Sequence, residues 1–278
     1  MELTTTLTPL EIAQFQENGY LSIPQITTPQ EVAWLREIYD RLFERRAGWE
    51  NGDFFDFAGT DNPERAATLP QLLDPSRYEP ALKTTLFRTN ALAIAKQLLG
   101  PSAELVFEHA MLKPANTGGE TPWHQDEAFF PKFTNYQSIT FWMPLQPVDA
   151  TNGCLDFIPG SHKGALLAHR SINNDLRIHG LEAEGADGSQ RVTCPLQAGG
   201  TTIHHSRTLH HAGPNLSDGP RRAYALGFGV RSKNLTLRTN FLWNANRATA
   251  RAKRADEAIG PVQRYVNYLK STVKAIIR

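Results

Sequence analysis

A chain of 278 residues, 40% hydrophobic and 21% charged, with 29 basic against 28 acidic side chains, has the makeup of a folded protein able to bury a core. That charge balance gives no reason to expect nucleic acid as a partner, and two cysteines, Cys154 and Cys194, make neither a disulfide framework nor a zinc site. No run of about 18 apolar residues occurs, and the opening MELTTTLTPLEIAQF lacks a basic stretch followed by an apolar one, so neither a membrane span nor a signal peptide is expected, and the expected compartment is the cytoplasm.

Two helix starts are marked, at Thr8-Pro9-Leu10-Glu11 and Thr28-Pro29-Gln30-Glu31. Each puts Thr at the N-cap, Pro at the first helical position and Glu at the third. Hydroxyl and carboxylate then satisfy backbone N–H groups that lack helical partners. The first helix is expected to stop near Gly19. The second carries Val32, Leu35, Ile38 and Leu42 at helical spacing and is expected to end near Gly48. Residues 49–78, rich in Gly, Asp, Asn and Pro, read as a long loop, a length that usually signals function or mobility. A third helix is expected from about Glu79 to Leu99, where Gly100-Pro101 stops it.

After residue 101 the pattern changes to short β-like runs at 103–113, 137–145, 154–158, 191–196, 200–205 and 222–231, with turn residues between them. Such spacing predicts an all-β sandwich or barrel. The polar stretch 161–190 has weak periodicity and reads as an insertion between strands, expected to act as a lid. Residues 247–278 carry eight Lys or Arg against Asp256 and Glu257, a net of +6. From Val262, apolar residues at Tyr265, Val266, Leu269, Val273 and Ile276 predict an amphipathic helix packed on the barrel or on a second subunit. Attachment to anionic lipid or an acidic carrier is the less favoured reading.

Chemistry enters at Trp123-His124-Gln125-Asp126. In extended chain, residues i and i+2 share a side, so His124 and Asp126 reach one point while Gln125 faces away. The pattern alone is common by chance. A histidine-rich stretch follows Gly199-Gly200, with His204, His205, His210 and His211. One imidazole from it would complete a face of two histidines and a carboxylate. Three positions would stay open for a bidentate ligand and O2, as suits Fe(II) oxygenase chemistry. A closed thiolate set would have pointed to structural zinc instead. Arg221 lies eleven residues beyond His210. If the open positions hold a 2-oxo diacid, the distal carboxylate needs a cation inside the barrel. Arginine suits that role because its planar fork pairs bidentately and stays charged when desolvated.

The segments MLKP (111–114), WHQDEAFFP (123–131), FWMPL (141–145), NGCLDFIPGSHKG (152–164), LHHAGPN (209–215) and RRAY (221–224) agree in order and spacing with one family. Over about residues 100–230, and more loosely in the N-terminal helices, the chain resembles the phytanoyl-CoA dioxygenase family of Fe(II)/2-oxoglutarate-dependent oxygenases. The resemblance implies a mainly β fold with flanking helices, a double-stranded β-helix of the jelly-roll, cupin-like kind. A single domain is expected over 1–278, with a helical part at 1–100, the barrel at 101–232 holding the insertion 161–190, and an extension at 233–278. His124, Asp126 and His210 fall on the family's metal ligands, and Arg221 on the arginine that holds the distal carboxylate of 2-oxoglutarate. Trp142, His109 and Met111 fall on positions beside that cosubstrate. Fe(II), 2-oxoglutarate and O2 are the implied cofactors, with ascorbate as a stimulant. Ala212 departs from the family, which often has Ser there, and removes one hydroxyl donor from the cosubstrate.

The expected reaction is hydroxylation of an unactivated C–H in a small metabolite, natural-product or amino-acid-like, with release of succinate and CO2. Desaturation, demethylation or rearrangement at the same site is the alternative. Asp126 argues against halogenation, because halogenating relatives put a small residue there. A cupin-like binding protein with a non-redox metal site is the alternative from another class. A homo-oligomer stays open.

Bland readings apply to many neighbours. Only one of His210 and His211 can face inward, and spacing to Gly213, Asn215 and Arg221 favours His210. His204 and His205 are expected to lie too far from the metal. His162 reads as structural, His169 and His179 as loop histidines, and Arg222 as paired with a surface acid. Arg170, Arg177 and Lys163 read as solvated charges. Phe129, Phe130 and Phe133 are expected to wall the site, and the two cysteines to be small buried hydrophobes.

Overall fold

A computed structural model describes residues 3–117, 119–131, 136–231, 241–245 and 247–260. Phe133 and the apolar stripe from Val262 lie outside the described residues.

Helix α1 (Pro9–Asn18) has both halves of its capping box, and Gly19 ends it in the left-handed region at φ 78°. Strand β1 (Tyr20–Ile23) follows. At α2 (Pro29–Glu44) the box closes only halfway. Thr28 accepts from the Glu31 N–H, but the Glu31 carboxylate accepts instead from Leu86 N and Phe87 N, at 2.6 and 2.9 Å. It therefore satisfies the start of α4 (Leu86–Leu99), a helix 55 residues away. Residues 80–84, expected in that helix, form a 3-10 turn. Thr85 sets the helix start by accepting from Arg88 N.

The stretch 49–78, expected as loop, contributes β2 (Phe54–Asp56), β3 (Pro70–Leu73) and a short α3 (Pro75–Tyr78). The strands were hidden because each is only three or four residues long. They continue a sheet whose partner, β4 (Glu104–Lys113), lies far along the chain. The barrel strands follow as β5 (Thr121–His124), β6 (Tyr136–Pro144) and β7 (Leu155–Phe157). Next come β8 (His169–Ser171), β9 (Leu181–Ala183), β10 (Val192–Cys194) and β11 (Thr201–His205). Last are β12 (His210–Ala212) and β13 (Arg221–Arg231). Two helices, α5 (Leu242–Ala245) and α6 (Ala250–Ala258), return the chain to the barrel.

Among the described residues, one sheet has the order β1-β11-β6-β13-β4-β3-β2 and a second β10-β7-β12-β5, with every pairing antiparallel. The two sheets face each other across Trp142, Ala223 and Ala225 on one side and Leu155, Phe157, Cys194 and Ala212 on the other. This is the jelly roll that the motifs imply. Helices α2 and α4 cover the outer face of the larger sheet. There Leu35, Ile38, Leu42, Phe87 and Ile94 pack on Phe141, Tyr224, Leu226 and Phe228. Truncating any of these to alanine costs about 2–5 kcal/mol.

Alternation along β13 positions the site. Tyr224, Leu226 and Phe228 pack against the helices, so Arg221, Ala223, Ala225 and Gly227 face the other sheet. Those small residues leave room between the sheets. At Gly227 the room is taken by Phe107, whose ring would lie 2.1 Å from an added Cβ.

The insertion 161–190 is not a solvated flap. Its β8–β9 ribbon ends in Gly180, whose N–H donates to Phe57 O at 2.8 Å. Ile172 and Ile178 pack with Phe55, Phe57 and Leu69. The two expected loops therefore bury one another.

Candidate metal centre

His124 ends β5 and His210 opens β12, and the two are partners in register across the small sheet, with ring centroids 4.1 Å apart. Gln125 is extended (φ −122°, ψ 128°), so Asp126 points to the same side as His124 although the strand has given way to a 3-10 turn. The Nδ1 atoms of His124 and His210 lie 2.8 and 2.9 Å from Pro122 O and Thr208 O. Carbonyls only accept, so both protons sit on Nδ1. Each Nε2 is left bare, 3.7 and 3.6 Å from Asp126 Oδ1. One nitrogen from each ring and one carboxylate oxygen lie within 4.8 Å of one another.

Electrostatics keep this set in its metal-binding form. Burial pushes the His124 and His210 imidazoles below their ordinary range, so both are neutral at pH 7. Burial works against ionisation of Asp126, but His210, His204 and His124 around it outweigh that and hold the carboxyl low. The outer oxygen of Asp126 is fixed separately. Thr140 donates to Oδ2 at 2.7 Å, and His204 Nε2 stands 3.3 Å from the same atom.

His204 is thus a correction to the sequence reading, which put it too far away. It lies in β11, one residue before its end, pairs in register with Thr140 on β6, and its ring is 4.3 Å from that of His210. The register between β11 and β6, which no local pattern encodes, brings it in. Thr140 was missed for the same reason; its one signal is that it precedes Trp142 by two on the same face of β6. His205 faces the other way, with its ring 5.6 Å from that of His162. His211 also faces outward, stacked on Trp123 at 5.2 Å and 3.3 Å from Asp156. Arg222 pairs with the exposed Asp40 at 2.6 Å.

Arg221 is 3% exposed, and its Nε and Nη1 meet no hydrogen-bond partner. Its guanidinium lies 5.4 Å from the centroid of the Trp142 ring. Trp142 and Met111 belong to the cluster between the sheets, and His109 projects from β4 opposite Ala225. Lys113, in register with Arg221, is wholly buried and donates to Ala212 O at 2.9 Å and to Gly213 O. Buried hydroxyls of Ser138 and Thr202 are also without partners. An interior with a buried guanidinium and several unanswered polar atoms calls for a polar, anionic occupant. A dicarboxylate such as 2-oxoglutarate fits it, and the bare nitrogen and oxygen donors fit Fe(II).

His169 and His179 are not free loop side chains. His169 Nε2 accepts from Gln125 N at 3.2 Å, and His179 stacks on Phe129 at 5.8 Å. Phe129 stands edge-on to His124 at 6.0 Å and supplies one of the three phenyl rings expected to wall the site.

The sequence model of the phytanoyl-CoA dioxygenase (PhyH) family matches residues 15–223. A probable alpha-ketoglutarate-dependent hypophosphite dioxygenase of Stutzerimonas stutzeri is 27% identical over 222 residues, which are 78% of this chain and 77% of that protein. The peroxisomal phytanoyl-CoA dioxygenase of Rattus norvegicus is 29% identical over 235 residues, 77% of this chain and 66% of that one. The crystal structure of EvdO2 from Micromonospora carbonacea var. aurantiaca superposes with a TM-score of 0.75 at 39% identity, covering 87% of this chain and 99% of EvdO2. Its complex with 2-oxoglutarate superposes at 0.72 with 34% identity, covering 87% of this chain and all of that one.

Proposed function

The chain belongs to the phytanoyl-CoA dioxygenase family, and from that premise we propose that it is an Fe(II)- and 2-oxoglutarate-dependent oxygenase that hydroxylates a C–H bond of a small metabolite. The observation that carries the reading is the convergence of the His124, Asp126 and His210 ligand atoms within 4.8 Å, in a barrel that also holds an unpartnered, buried Arg221.

In this reading His124 Nε2, His210 Nε2 and Asp126 Oδ1 hold the metal, and Arg221 receives the distal carboxylate of 2-oxoglutarate. Bound Fe(II) with 2-oxoglutarate would supply the oxidative chemistry, coupling conversion of 2-oxoglutarate and O2 to succinate and CO2 with oxidation of the substrate. The chain's own residues bind, orient and exclude water. Pro122 O and Thr208 O fix the two imidazoles, and Thr140 and His204 fix the carboxylate. Trp142 walls the cosubstrate space, while His109 and Met111 of β4 border it. Ala212 offers no hydroxyl to the cosubstrate, so the electrostatic grip falls on Arg221.

The test is spectroscopic. Fe(II) and then 2-oxoglutarate are added to metal-free protein under nitrogen. A weak visible charge-transfer band is expected, lost in Asp126→Ala and needing far more 2-oxoglutarate in Arg221→Ala. Stoichiometric metal binding without the band would remove the oxygenase reading and leave a binding protein with a non-redox metal.

A further inference from the structure

Phe129, edge-on to His124, also borders a pair of arginines outside the metal centre. Arg247 has its guanidinium carbon 5.9 Å from the Phe129 ring centroid, and Arg251 has its own 4.9 Å from that of Phe55. The chain that carries them is tied to the metal-binding segment, because Trp243 Nε1 and Asn244 Nδ2 both donate to Ala128 O, at 3.0 and 2.9 Å. Within α6, Arg251 and Arg254 are half-buried while Lys253, Asp256 and Glu257 are exposed, so one face of the helix is turned inward.

The three inward arginines differ in what answers them. Arg254 is a strut: it donates to Trp49 O and Phe54 O, pairs with Asp61 and lies over the Trp49 ring at 3.7 Å. Among the described residues Arg247 has only neutral partners, Asn244 Oδ1 at 3.1 Å and His179 O, and its buried Nε has none. Arg251 donates to Gly52 O at 2.8 Å. Neither Arg247 nor Arg251 forms an ion pair with a described carboxylate. Burial disfavours both cations; the charge of Arg251 adds to this at Arg247, which is pushed down to about 10, while at Arg251 the carboxylates of Asp53, Asp61 and Asp74 work against burial and Arg254 works with it. Arg251 and Asp126 both act on the buried His109, in opposite directions. Both arginines act on His179, which burial above all keeps neutral. A half-buried arginine with no ion pair to a described carboxylate, a second guanidinium acting on it and one phenyl ring between it and a metal ligand, is completed by an anion.

We propose that Arg247 and Arg251 receive an oxyanion of the substrate, a carboxylate or a phosphonate-type group, and hold the molecule across Phe129 and His179 toward His124, Asp126 and His210. The proposal rests on the oxygenase reading only for calling that molecule the substrate; the anion site itself does not need the metal.

The test uses ring-bearing probes suited to the aromatic wall: benzoate, phenylphosphonate and uncharged benzamide, titrated calorimetrically. The protein is first loaded under nitrogen with Fe(II) and saturating 2-oxoglutarate, so that Arg221 is already occupied. Benzoate or phenylphosphonate should bind at least tenfold more tightly than benzamide, and the tighter of the two identifies the oxyanion. Arg247→Gln and Arg251→Gln should each weaken that binding about tenfold. Arg247→Lys should retain part of it, and Lys253→Gln on the exposed face should leave it unchanged. The same titration on metal-free Asp126→Ala protein should give the same dependence on Arg247 and Arg251. Benzamide binding as tightly as the anions, or binding lost only in Arg221→Gln, would overturn the anion site. If the charge-transfer band is absent but the dependence on Arg247 and Arg251 persists, the oxygenase reading fails and the anion site stands.

Discussion

Replacing Arg221 by methionine should move stability and cosubstrate binding in opposite directions. Arg221 is buried, with two nitrogens unanswered, and burial pushes it down to about 9 from its usual 12.5. At pH 7 it is charged in both folded and unfolded chains, so the folded protein carries the full desolvation cost, on the order of 5 kcal/mol at most and less after local relaxation. Methionine removes that cost at similar volume. With about 2–4 °C per kcal/mol for a protein of this size, the metal-free melting temperature should rise by roughly 4 °C or more. The same change deletes a bidentate, charge-assisted pair with the distal carboxylate, about 3 kcal/mol, or roughly 100-fold in the Kd of 2-oxoglutarate. The pH dependence has a definite sign. Below pH 9 the penalty is constant; above it the folded chain sheds the proton first, so the wild type should gain stability while Arg221→Met does not. Scanning calorimetry with and without 2-oxoglutarate, together with titration of the charge-transfer band, reads both effects. A variant that melts lower without ligand and binds 2-oxoglutarate normally would refute the reasoning.

Three other outcomes follow from neighbouring contacts. His204→Ala takes one of two donors from Asp126 Oδ2 and should weaken Fe(II) binding about 10–100-fold, with partial recovery in His204→Gln; an unchanged Fe(II) titration would deny His204 that role. Lys113 is pushed down to about 6, by burial first and then by Arg221, so between pH 6 and its ordinary value near 10.5 folding releases its proton. Stability should therefore rise with pH across that window by up to about 1.4 kcal/mol per pH unit from this group, and Lys113→Met should flatten urea midpoints measured at several pH values. Tyr224→Phe leaves the buried Glu108 carboxylate without the phenol that donates to it at 2.7 Å, and should cost about 1–3 kcal/mol by denaturant unfolding.

What was legible in the sequence was local. The capping box at Thr8, the strands 103–113 and 222–231, and the inward choice of His210 over His211 all follow from periods of two or 3.6 residues and from turn chemistry. Where local chemistry had two outlets, sequence reasoning took the nearer one. Glu31 should have closed its own helix's box, yet it caps α4 instead, because tertiary packing brings those N–H groups within reach. The strands at 54–56 and 70–73 read as loop because segments so short draw their stability from the neighbouring strand.

By itself, the sequence determined the donor types and the family, since order and spacing of the His-x-Asp, His and Arg positions are properties of the chain. Only the tertiary structure decided that His204, 78 residues from Asp126, stands against its outer oxygen, and that Arg247 lies against Phe129 and Arg251 against Phe55. The physical reason is range. A period along one segment fixes which way a side chain points, whereas the register between distant strands fixes what it points at.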